Sequence, residues 1–166
     1  MEMLRIERRV ISEPSVRERV VGATVEVPSD AYLQWSVGIK NTGYRDIDLG
    51  KEGVFIKTYF GELLSAESGD PQTDMDTWAG EATIITTLVF AEGIVLKKEE
   101  TKTYTDGHYV SDLKLEEGET YDVGVIVGYK PDTTETALDS TRVEDAIKIV
   151  PAIAISIESG PSFSWS

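Results

Sequence analysis

Residues 33–44 read LQWSVGIKNTGY, an alternation that stops at Asn-Thr-Gly. Leu33, Trp35, Val37 and Ile39 fall on one side of it, while Gln34, Ser36, Gly38 and Lys40 fall on the other. A period of two is that of a strand with one face buried. Trp35 therefore belongs to an inward face, and the reading expects a core residue there, with no catalytic constellation around it. Asn41 and Gly43 suit a turn that needs positive φ.

Working outward, the same period recurs. Leu4, Ile6 and Val10 suggest a first strand, broken at Pro14, and Val21, Ala23, Val25 and Val27 form a second that Pro28 closes. GVFIKTYF (53–60) has neighbouring apolar residues, which implies burial on both faces. Strands follow at TIITTLVF, GIVLKKEETKTY and near HYVSDLKL. In EEGETYDVGVIVGYK, Tyr121, Val123, Val125, Val127 and Tyr129 share a face, with Gly124 and Gly128 opposite, where a bulge or a close backbone neighbour suits glycine. Residues 61–81, rich in Gly, Ser, Asp and Thr, read as a long exposed loop, and 131–142 as another that could hold a helical turn. A last strand places Ile147, Ile149, Ile153, Ile155 and Ile157 on one face, interrupted by Pro151.

With 166 residues the chain suits one domain able to fold without disulfides or metals. The absence of cysteine excludes a disulfide framework, a thiol nucleophile, a zinc-finger site and an iron–sulfur cluster, and leaves the redox compartment open. A net charge of -14 repels phosphate backbones and disfavours nucleic acid as a partner. No run approaches the roughly 20 apolar residues of a membrane-spanning helix, so membrane insertion is not expected. The first twenty residues lack the apolar segment of a secretory signal. That leaves the location open, with an extracellular surface or a virion as the setting considered.

About eight or nine strands without βαβ alternation indicate an all-β sandwich. Within it, VGIKNTGYRDIDL resembles the second strand and turn of immunoglobulin-like modules of the cell-adhesion-related bacterial type. LKLEEGETYDVGVIV is similar to their penultimate turn and strand. The resemblance implies an immunoglobulin-like antiparallel β-sandwich over residues 1–157 with a C-terminal tail, 158–166. Tyr121 sits where a tyrosine corner would fold its hydroxyl back to the preceding turn.

Residues able to carry chemistry are few. His108 lies beside Asp106, Ser111 and Asp112, but neighbours along a turn do not make the spatial triad that catalysis requires, and the reading is an exposed turn histidine. Asp70, Asp74 and Asp76, with Glu67 and Glu81 nearby, offer hard oxygen ligands suited to calcium. The favoured reading of this cluster is a solvated acidic loop, because DMDTWAGE departs from the EF-hand pattern. No other cofactor is implied. Trp78, on a polar stretch, either folds back over a sheet edge or, with Tyr59 or Tyr109, stacks on a sugar; the first is favoured. Phe163 and Trp165 close the tail on a Ser, Gly and Pro background, where free aromatics call for a cover, either their own domain or a neighbour. Arg5, Arg8, Arg9, Arg17 and Arg19 concentrate positive charge at the amino end and suggest head-to-tail contact with an acidic neighbour.

The leading expectation is a non-catalytic structural or interaction protein, a self-associating subunit of a surface filament or virion. It would meet itself or another protein through an edge strand and the tail, with Ile153, Ile155, Ile157, Phe163, Trp165 and Trp78 as interaction candidates. The alternative is a carbohydrate-binding β-sandwich module with a loop tryptophan and a calcium site. A glycoside hydrolase working with two carboxylates comes third.

Overall fold

A computed structural model describes the backbone of residues 3–9 and 16–20, and backbone with side chains over 24–64, 69–153 and 155–165. Strands dominate it. In chain order they are β1 (Met3–Arg9), β2 (Val16–Val20), β3 (Val25–Pro28), β4 (Tyr32–Lys40), β5 (Ile47–Asp48) and β6 (Val54–Gly61), then, after the helix α1 (Pro71–Glu81), β7 (Ala82–Val89), β8 (Val95–Leu96), β9 (Thr101–Tyr109), β10 (Thr120–Tyr129) and β11 (Thr136–Val150). One sheet has the order β2-β1-β4-β9, a second β3-β11-β10-β6-β7, and β5 pairs with β8 alone. Every pairing is antiparallel except that of β11 with β3, which is parallel from Ile147–Val25 to Val150–Pro28.

The first two sheets share one core, and Trp35 is in it as the alternation requires. Its side chain is 2% exposed, it meets Phe60 of the facing sheet edge-to-face at 5.1 Å, and its Nε1–H donates to Thr58 Oγ1 at 3.1 Å. A buried indole N–H must find an acceptor, and Thr58 supplies it across the gap between sheets. Tyr121 folds its hydroxyl back to accept from the Glu116 N–H at 2.9 Å, fixing the turn before β10.

The stretch read as an exposed loop over 61–81 contains α1 instead. Asp70 caps its start by accepting from the Gln72 N–H, and Pro71 takes the first turn, where its missing N–H costs nothing. Asp74, Met75 and Trp78 face inward at helical spacing. Met75 and Trp78 lie on the outer face of the five-stranded sheet, in a second cluster with Phe55, Tyr59, Leu63 and Ile126. Gly124 opens the room for this, since a Cβ there would stand 2.7 Å from the Trp78 ring. β6 is thereby covered on both faces, with Ile56 and Phe60 in the core between the sheets and Phe55 and Tyr59 beneath the helix.

Three further expectations are corrected. The Asn41 turn has no positive φ at Asn41 or Gly43. It is held by side-chain bonding: Asn41 Oδ1 accepts from the Gly43 N–H, and Nδ2 donates to the carbonyls of Arg45 and Leu96. Residues 136–142 are strand rather than loop, because β10 offers them a full antiparallel ladder. The final strand ends at Val150, so Ile153, Ile155 and Ile157 do not continue the buried face of Ile147 and Ile149. Val10, assigned above to the first strand, lies outside the described residues.

Candidate interaction surface

Trp78 cannot serve as an exposed sugar platform. It is 1% exposed, its Nε1–H donates to the Leu64 carbonyl, and its ring meets Tyr59, itself buried, at 5.7 Å. The polar sequence around it reflects the solvent side of a helix one turn of which is buried. Tyr109 stays partly exposed on β9, edge-to-face with Tyr32.

The acidic residues proposed for calcium have separate tasks. Asp70 is the N-cap and also accepts from Thr73 Oγ1, while Asp74 is buried and accepts from Ser140 Oγ at 2.6 Å. Asp76 is exposed and accepts from Gln72 Nε2. Among the described residues no group of three or more His, Asp or Glu is placed to hold a metal ion; Glu67 lies outside them. His108 is not on a turn but near the end of β9, where it stacks on Trp35 at 5.7 Å and approaches Asp106 Oδ1 to 3.5 Å. The side chains of Arg5, Arg8, Arg9, Arg17 and Arg19 lie outside the described residues.

One constellation escaped sequence reading. Asp122 and Arg142 hold the Leu63 peptide from both sides: Asp122 Oδ2 accepts its N–H at 2.9 Å, and Arg142 Nη1 donates to its carbonyl at 2.7 Å. Asp122 also accepts from the Asp145 N–H, where β11 passes through positive φ, and lies 3.6 Å from Arg142 Nη1. Both carboxylate oxygens of Asp122 and Nη1 of Arg142 have partners within the chain, so this network pins the lead-in to α1. Its members stand far apart in sequence, and only the sheet register joins them.

Comparison of the chain with family models, with curated proteins and with solved structures finds no match. What remains is the surface. Beyond Val150 the described residues have no regular secondary structure, and the large apolar side chains are bare: Ile153 is 78% exposed, Ile155 89%, Ile157 84%, Phe163 86% and Trp165 98%. Among the described residues neither covering by the domain nor continuation of β11 is seen. Burying such side chains is worth about 1.5–3 kcal/mol each.

Four strands form the edges of the two large sheets, and three of them carry features that discourage further pairing. The sequence of β2, VRERV, holds three charges. β3 is four residues long and ends in Pro28. β9 includes Lys102, Asp106 and His108. β7 differs: ATIITTLV has eight residues without a charge or a proline, is rich in β-branched side chains, and pairs only with β6 among the described residues. Ile84, Thr86 and Leu88 point inward along it, while Ile85 and Val89 are exposed.

Proposed function

We propose that this chain is a non-catalytic, immunoglobulin-like interaction module that associates with copies of itself through its C-terminal segment, as a subunit of a surface filament or virion. The observation that carries this reading is the row of bare apolar side chains from Ile153 to Trp165. Support for the immunoglobulin-like assignment comes from topology. Taking β4 as strand B, β1-β4-β9 follows the order A-B-E, and β11-β10-β6-β7 follows G-F-C-C′. The Tyr121 hydroxyl bound back to the Glu116 N–H is what a tyrosine corner requires. A module of the cell-adhesion-related bacterial type is the family reading that fits both sequence stretches quoted above.

Self-association is tested by sedimentation of the full chain over a concentration series, with fluorescence followed in parallel. Trp35 and Trp78 are buried and Trp165 is exposed, so Trp165 dominates quenching by iodide. The expected result is mass that grows with concentration together with protection of Trp165. A monomer at every concentration, with Trp165 quenched throughout, overturns the reading.

A further inference from the structure

From the contrast among the four edges we infer that β7 of a second copy is the acceptor for residues 152–157, which add to it as an extra strand. This rests on the self-association proposed above and names the surface that receives the tail. The sequence AIAISI has the period of a strand, with Ile153, Ile155 and Ile157 on one side and alanine and serine on the other. Among the described residues it has no strand partner, and its large side chains are bare. β7 has the complementary need, a row of backbone groups on its outer flank with no strand beside it among the described residues. Laid against β7, the isoleucine side continues the inward face of Ile84, Thr86 and Leu88.

Reach assigns the acceptor to another copy. β11 and β7 are separated by β10 and β6, a distance of three strand spacings, or about 14 Å. β11 also runs past the level of Ala82, which pairs with Gly61 and through it lies level with Asp122. Three residues from Val150 to Ile153 extend about 10 Å at most, so the isoleucine run cannot lie along β7 of its own chain. Charge favours the same pairing. Two domains of net charge -14 repel one another, whereas residues 151–165 carry one charged side chain, Glu158, and β7 carries none. Donor and acceptor are different surfaces on opposite sides of the sheet, so the contact is heterologous and either closes into a ring or propagates as an open chain.

Two full-length variants test this. The donor-blocked form carries Ile153→Asp, Ile155→Asp and Ile157→Asp; the acceptor-blocked form carries Ile85→Lys, Thr87→Lys and Val89→Lys, all at exposed positions, with near-UV circular dichroism confirming the native core. Wild type is expected to sediment as oligomers and each variant alone as a monomer. An equimolar mixture is expected to give a species of twice the monomer mass and no larger, since one intact tail meets one intact edge. Hydrogen exchange on wild type is expected to slow at β7 amides on assembly. Oligomers that persist in the acceptor-blocked form while the donor-blocked form is monomeric overturn the β7 assignment and leave self-association through the tail standing. A wild-type monomer throughout overturns both.

Discussion

Trp78 fills the space that a side chain at residue 124 would need: a Cβ on Gly124 would stand 2.7 Å from Cζ3 and 2.8 Å from Cε3 of its ring. Helix and sheet therefore approach more closely than any other residue there permits. Gly124→Ala is expected to destabilise the fold by about 1–3 kcal/mol through overpacking, measured by urea denaturation. Combined with Trp78→Leu, whose own cost is a cavity, the two changes should be less than additive, because the smaller side chain yields the room that the new methyl needs.

Across the core, Thr58→Val keeps the shape of the side chain but removes the acceptor of the Trp35 indole N–H. The expected loss is about 1–3 kcal/mol, the penalty of a buried donor left unpaired. Trp35→Phe should cost about 2–4 kcal/mol through the cavity it leaves. In the Trp35→Phe background, Thr58→Val should cost little, since no N–H is left to orphan. A double-mutant cycle in denaturant measures this coupling.

Asp122→Ala frees the Leu63 and Asp145 N–H groups together and leaves Arg142 facing a gap. An expected loss of about 3–5 kcal/mol follows from breaking a mostly buried pair. Hydrogen exchange should localise the effect to residues 61–64 and the start of α1.

Tyr59 contributes to the loss of stability at alkaline pH. Burial beneath α1 pushes its hydroxyl up to about 12, with the charges of Glu135 and Asp76 adding to the effect. The folded protein thus holds this proton more tightly than the unfolded chain. Below pH 10 the group has no influence on stability; from pH 10 to about 12 the unfolded chain releases the proton first, and stability falls. Tyr59→Phe should flatten part of that decline in denaturation midpoints taken across the range. Ultraviolet titration should find the Tyr59 phenol ionising late, with that of Tyr104, which burial and then Glu100 shift upward, also displaced.

The all-β class and the place of Trp35 were legible because period-two alternation reports burial on one face directly. Double burial of β6 was legible too, from the neighbouring apolar residues at 54–60, although not what covers its outer side. α1 was missed because its buried turn presents only Met75 and Trp78 among polar residues. Its start signal, Asp70 before Pro71, was nevertheless present. The Asp122–Arg142 clamp depends on register between distant strands and leaves no local trace. At the carboxyl end, isoleucine alternation is the same on both sides of Pro151, and only the structure separates the buried strand from the bare segment.

The parallel ladder between β3 and β11 joins residues near opposite ends of the chain. β3 can take its place only after the last strand is laid down, so a chain emerging from the ribosome cannot finish its second sheet until Val150 is free. Contacts this distant are slow to close, and until then the early strands wait with unpaired backbone. Closure of the second sheet is therefore gated by its last strand, a schedule on which a helper that shields strands would act.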